Sequence, residues 1–341
     1  MHMADALLSP AVGGSLWAAT ATVTGLCSRR LRRTADERQI PLMGVLGAFV
    51  FAAQMINFTI PGTGSSGHLG GGLLLAILLG PCAAFLVLAS VLSVQALFFA
   101  DGGLLALGAN IFNLGFFPCF VAYPLVYRTL AGSRPTRGRI TLAAVVAAVV
   151  GLQFGSLGVV LETVASGISE ISLPSFLSVM QPIHLAIGVV EGFVTAAVVA
   201  FVGKAQPELL DGRTEGRMPG SLRGTVVALG IAALVVGGGL SWLASTNPDG
   251  LEWSLQRLTG AEELPLPPGE IHESLGRIQE RTALLPDYGF RNATGAEPES
   301  GPAGWASEGA GQAASGVLGG ALTLLVAFAT GWLLRRRARA A

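Results

Sequence analysis

Histidine is scarce in this chain of 341 residues: His2, His68, His184 and His272. His2 stands out by position. Where Met1 keeps a free α-amine, that amine, the amide nitrogen of His2 and imidazole Nδ1 can bind one metal ion together in two fused chelate rings. The amide must lose its proton to join. Three nitrogens then occupy three corners of a plane, an arrangement suited to Ni(II) or Cu(II), and the fourth corner stays open for a ligand from elsewhere. His68 is the natural candidate. It lies in the Gly-rich stretch Pro61–Gly72, whose glycines let the backbone bend sharply and approach closely. Asp5 is placed to orient an imidazole from behind, as carboxylates do around metal-bound histidines. A plainer account fits the same residues: His2 as an end residue and His68 as a polar loop residue.

Two acids, Glu162 and Glu191, fall in apolar stretches, where ionisable groups are costly and mark function by default. Glu191 follows His184 by seven positions, which puts both on one helix face. The pair reads as a metal relay or proton path, or equally as a polar pair that fixes helix packing. Asn57, like Gln54, Gln95, Asn110 and Asn113, is polar among apolar neighbours, and Asn57 is a further pathway candidate. No HExxH, GxxxxGK[ST] or Ser/His/Asp arrangement occurs, so no catalytic residues or ATPase are assigned. Cys27, Cys82 and Cys119 have no CxxC spacing and read as small buried residues.

These residues need a membrane scaffold. The chain is 51% hydrophobic and 12% charged, with 47 glycines and zero formal net charge. Soluble domains carry about 25% charged residues, and nothing here suggests nucleic acid. Apolar stretches of bilayer-crossing length fall near 11–27, 40–58, 69–80, 82–100, 104–127, 140–165 and 180–203, with two more near 222–244 and 314–334. The 69–80 stretch is short and reads as a half-helix packed inside protein. Most of the 21 basic residues cluster in 28–39, 128–139, 204–223 and the tail. All four clusters fall on one side, the cytoplasm by the positive-inside rule. The N-terminus, the 59–68 loop carrying His68 and the long 245–313 segment then face outward, and the C-terminus is cytoplasmic. The start lacks the basic region of a secretory signal and is expected to remain uncleaved. The organisation expected is a membrane unit at 1–203, a polar linker at 204–221 and a two-helix hairpin at 222–341. The hairpin's outward insert carries eleven acids and four arginines and is expected to be flexible from about Asn292 to Gln312.

The opening Met1-His2-Met3-Ala4-Asp5-Ala6-Leu7-Leu8-Ser9-Pro10 resembles the MHIxDGxLSP start of the CbiM/NikM family, the substrate-capture components of cobalt and nickel energy-coupling-factor transporters. The resemblance continues through Gln54–Phe58, Gly64–Gly70, Leu78–Pro81, Gln95–Gly103, Leu107–Asn110 and His184–Gly192. It covers essentially 1–203, with Met3 and Ala6 replacing the commoner Ile and Gly. Asn247-Pro248-Asp249-Gly250-Leu251-Glu252-Trp253 resembles the PDGLE motif of the small accessory component, though a plain turn leading into a helix explains the same residues.

The resemblance implies an all-α polytopic membrane protein: a seven-helix bundle with the N-terminal segment inserted, plus a two-helix hairpin. It implies that the Met1 amine, the His2 amide and imidazole, and His68 hold Ni²⁺ or Co²⁺ as a transported substrate, with no prosthetic group. It also implies partners, namely a transmembrane coupling subunit and two cytoplasmic ATPases, and a link between cobalt uptake and cobalamin biosynthesis. Three other readings remain open on the residues: a capture component for an organic vitamin, an intramembrane metal-dependent enzyme using Glu162 or Glu191, and a purely structural assembly subunit. Nickel and cobalt are not distinguished.

Overall fold

The computed structural model describes residues 2–34, 39–133, 135–206, 223–290 and 302–339. Helices dominate because the apolar stretches leave the backbone to satisfy its own hydrogen bonds. In chain order they are α1 (Pro10–Thr34), α2 (Gln39–Gln54), α3 (Gly72–Leu79), α4 (Pro81–Phe99), α5 (Leu107–Ala131), α6 (Arg137–Ser166) and α7 (Leu173–Ala205). Then follow α8 (Arg223–Gly238), α9 (Gly250–Thr259), α10 (Glu270–Thr282) and α11 (Pro302–Arg339). Among the described residues, five helices are long and apolar enough to cross a membrane: α4, α5, α6, α7 and the Gly309–Arg336 part of α11. The apolar α2 and α8 are shorter, and α1 ends in arginines.

Local signals set the boundaries. Gly80 at φ 79° breaks α3 from α4, and Pro81 starts the new helix, where its missing N–H costs nothing. Thr136 and Ser172 cap α6 and α7 by accepting backbone N–H groups. α3 is a buried half-helix, in keeping with the short 69–80 stretch. Two features depart from expectation. A short antiparallel hairpin, β1 (Phe58–Ile60) with β2 (Ser65–Gly67), forms in the loop before α3, pairing Phe58 with Gly67 and Ile60 with Ser65. Helix α11 begins at Pro302, inside the 292–312 stretch expected to be flexible. Its small residues allow this: Gly309 lies against the Trp242 ring and Gly311 against Gly289. Residues 292–301, and the linker from 207 on, lie outside the described residues.

α6 pairs extensively with α7 and with α5, and the C-terminal pair α8 and α11 packs on α2. Gly237 and Gly316 bring α8 and α11 into backbone contact, the close approach that small residues permit in membrane helices. The core runs through α2, α3 and α4, where Phe51, Leu75 and Phe85 are fully buried.

Candidate metal centre

The N-terminal segment, with a short 3-10 helix at Asp5–Leu7, threads into the bundle instead of lying on it. Met3, Leu7 and Leu8 are buried. Asn110 of α5 grips Met3 on both sides: its Oδ1 accepts from Met3 N–H at 2.8 Å and its Nδ2 donates to Met3 C=O at 3.1 Å. Gly103 N–H adds a bond to the same carbonyl at 3.0 Å. Asp5 does not reach an imidazole. Its Oδ1 accepts from the backbone N–H of Ala106 at 2.9 Å, so it anchors the segment to the turn before α5.

This path sets His2 beside His68. Their rings stack with centroids 4.9 Å apart and planes 16° apart. His2 Nδ1 lies 2.9 Å from Asp101 Oδ1, while His2 Nε2 is buried without a hydrogen-bond partner among the described residues. The carboxylate next to His2 is therefore Asp101, which sequence reasoning missed. Its one signal was the Ala100-Asp101-Gly102-Gly103 turn, where Gly102 at φ 76° packs against His2 Cβ. Burial alone would raise the Asp101 pKa. The adjacent His2 ring and the Tyr288 hydroxyl, which donates to Asp101 Oδ2, hold it down at about 2. His68 Nδ1 sits 3.1 Å from Leu69 C=O, and burial pushes the His68 imidazole down to about 3. Its ring is thus neutral at ordinary pH, the form that coordinates metal. His68 Nε2 stands 3.8 Å from Asp249 Oδ2.

The loop bearing His68 is fixed from below. Glu191 Oε2 and Oε1 accept from the backbone N–H groups of Gly70 and Gly71, each at 3.0 Å. Gln54 donates to Gly70 C=O at 2.9 Å and accepts from Gln95 at 2.9 Å. His184 and Glu191 share one face of α7, but they do not pair: His184 Nδ1 is 2.8 Å from Met180 C=O. Glu162 accepts from Asn113 Nδ2 at 2.8 Å, away from the two rings. Asn57 lies outside the centre, its carbonyl accepting from Ser245 N–H at 2.7 Å. Met1 lies outside the described residues.

The C-terminal region closes the centre. Asp249 caps α9 in a capping box with Glu252, the helix start expected for this motif, and its other oxygen faces His68. Ser66 N–H donates to Pro248 C=O at 2.8 Å and Trp253 Nε1 to Thr63 C=O at 3.0 Å, which staples α9 to the hairpin. Gln279 of α10 donates to Ala96 and Gly102 carbonyls, and His272 Nε2 lies 3.0 Å from Leu8 C=O. Among the described residues, no group of three or more His, Cys, Asp or Glu side chains gathers as a metal cage. Two imidazoles do meet, those of His2 and His68.

Residues 2–209 match the family described as "Cobalt uptake substrate-specific transmembrane region", and residues 223–336 match the PDGLE domain. The chain belongs to the first of these, a family of multi-pass membrane proteins for cobalt and nickel transport. It is 33% identical over 341 residues to a chain of Archaeoglobus fulgidus provisionally named fused nickel transport protein NikMN, with all of both chains covered. The fused nickel transport protein NikMN of Rhodobacter capsulatus is 33% identical, covering 84% of this chain and 88% of that one. Cobalt transport protein CbiM of Geobacter sulfurreducens is 33% identical, over 69% and 70% respectively. A crystal structure of a truncated transition metal transporter superposes with a TM-score of 0.54 at 31% identity, covering 60% of this chain and 99% of that one.

Proposed function

We propose that this chain is the substrate-capture component of an ATP-driven uptake system of the energy-coupling-factor type, taking up Ni²⁺ or Co²⁺. The ion is held by the Met1 amine, the His2 amide and imidazole, and His68 Nε2. The observation that carries this reading is the stacked His2–His68 pair, whose side chains are only 6% and 8% exposed and meet where the N-terminal segment enters the bundle. Chelation through His2 Nδ1 requires that nitrogen to leave Asp101, so loading exchanges a carboxylate contact for a metal bond. Membership of a family of metal transporters supports a transporter over an enzyme. In this reading ATP is hydrolysed on two separate cytoplasmic subunits reached through a transmembrane coupling subunit, in keeping with a sequence that carries no phosphate-binding loop.

In this reading residues 1–203 form the seven-helix capture unit, and 222–341 a two-helix hairpin whose insert covers the centre. Asp5 and Glu191 position the ligands, while Asn57, Glu162 and His184 mark the route or its packing. The arginine clusters face the cytoplasm with the C-terminus, and the N-terminus faces outward. The test is uptake of nickel or cobalt by cells that also make the partner subunits. Adding one residue before Met1, or the change His68→Ala, is expected to abolish uptake. Unchanged uptake from both variants would refute the site.

A further inference from the structure

His184 lies under the His68 loop with none of its surface exposed. Its Nδ1 is 2.8 Å from the carbonyl oxygen of Met180, one turn back along α7. A carbonyl only accepts, so Nδ1 carries the proton and Nε2 presents a bare lone pair. That nitrogen is buried and has no hydrogen-bond partner among the described residues. Buried acceptors are matched almost everywhere in proteins, so the orphan calls for a reason. A ring fixed by an Nδ1–H bond to a carbonyl, with Nε2 bare, is also the arrangement that metal-binding histidines adopt.

His184 borders a cavity of about 10 Å³ that His68, three glycines (Gly67, Gly70 and Gly250) and the aliphatic Leu114, Leu152 and Ile187 also border. That space suits one water-sized species. Gly250, at the start of α9, packs on the ring so closely that a Cβ there would lie 3.0 Å from His184 Cε1. The neighbouring acid is already engaged, since both Glu191 oxygens accept backbone N–H groups. His184 and His68 are the two titratable residues that border this cavity.

We propose that His184 Nε2 is a second metal-accepting position, on the small cavity it shares with His68, which takes the ion as it leaves the His2–His68 pair for the interior of the bundle. This rests on the capture reading above and adds a step to it. The His68 side of the cavity supplies the ion, and the carbonyl-held ring accepts it without moving a proton.

The experiment uses the full chain with its partner subunits and two variants, His184→Gln and His184→Cys. Gln fills similar space but is a poor ligand, whereas a cysteine thiolate binds Co²⁺ well. His184→Gln is expected to purify with bound ion as the parent does, yet to lower uptake about tenfold or more. His184→Cys is expected to restore part of that uptake and to give a thiolate-to-cobalt charge-transfer band during turnover with Co²⁺. Parent-like uptake by His184→Gln would overturn the proposal. So would equal loss of uptake by both variants in folded protein without the band, which would make the ring a packing element. Loss of bound ion from His184→Gln would also overturn it, because the residue would then belong to capture. A parent chain that purifies without any ion would instead count against the capture reading itself.

Discussion

Asn110 holds both main-chain groups of Met3, and through them the position of His2. Asn110→Ala would leave the buried Met3 N–H unmatched, at a cost of about 1–3 kcal/mol. Nickel affinity measured by calorimetry is expected to fall about tenfold or more, as when outer-shell partners of metal sites are removed. His68 gives a pH dependence with a definite sign. Its folded-state pKa lies near 3, below its ordinary 6.5, because the ring is buried. Between those values the unfolded chain binds more protons, so stability rises with pH. The contribution is fully present above about 6.5 and is lost as pH falls toward 3. Unfolding of ion-free protein in detergent should follow this trend, and the variant His68→Asn should follow it less steeply. His2 and His68 could be offered as partners from the sequence because chelation chemistry depends on residue type and spacing, and the structure sets their rings side by side. Asp101 and Asn110 were not, since what they do comes from contacts across about a hundred positions. Asp5 was read toward an imidazole, but the backbone N–H of Ala106 lies within its reach instead.

The five membrane-length helices were legible because an apolar run near bilayer length has few other folded states, whereas α2 and α8 came out shorter than a full span. The segment between α2 and α3 was not. Its hairpin and buried half-helix depend on Glu191 and Gln54, which satisfy main-chain groups at Gly70 and Gly71 from other helices, and on Gln95, which donates to Gln54. Glu191→Gln tests this element. An amide supplies one acceptor oxygen in place of two and turns its own donors toward a glycine N–H. The variant is expected to insert normally in the membrane and to lose about tenfold in metal affinity, because the His68 loop is no longer pinned. Parent-like affinity would show that the carboxylate does not position the loop. The Ala/Gly-rich start of α11 was read as flexible because composition alone does not show Trp242 and Tyr288, the residues its glycines pack against.

Across the whole molecule, two sequence regions build one centre. The N-terminal segment and the 58–71 segment bring the two rings together, and α9, α10 and the turn at Pro286–Tyr288 close over them through Asp249, Trp253, Gln279 and Tyr288. The PDGLE motif thus serves as a helix cap and as a neighbour of His68 at once, a double use that spacing alone could not separate. The account stands or falls on the N-terminal chelate, and metal content tests it most directly. The full chain, purified from cells supplied with nickel or cobalt, would be compared with the variant His2→Ala. The account predicts bound ion in the parent and none in the variant, because the alanine removes the imidazole and with it one of the two fused chelate rings. Equal metal content in the two proteins would contradict it.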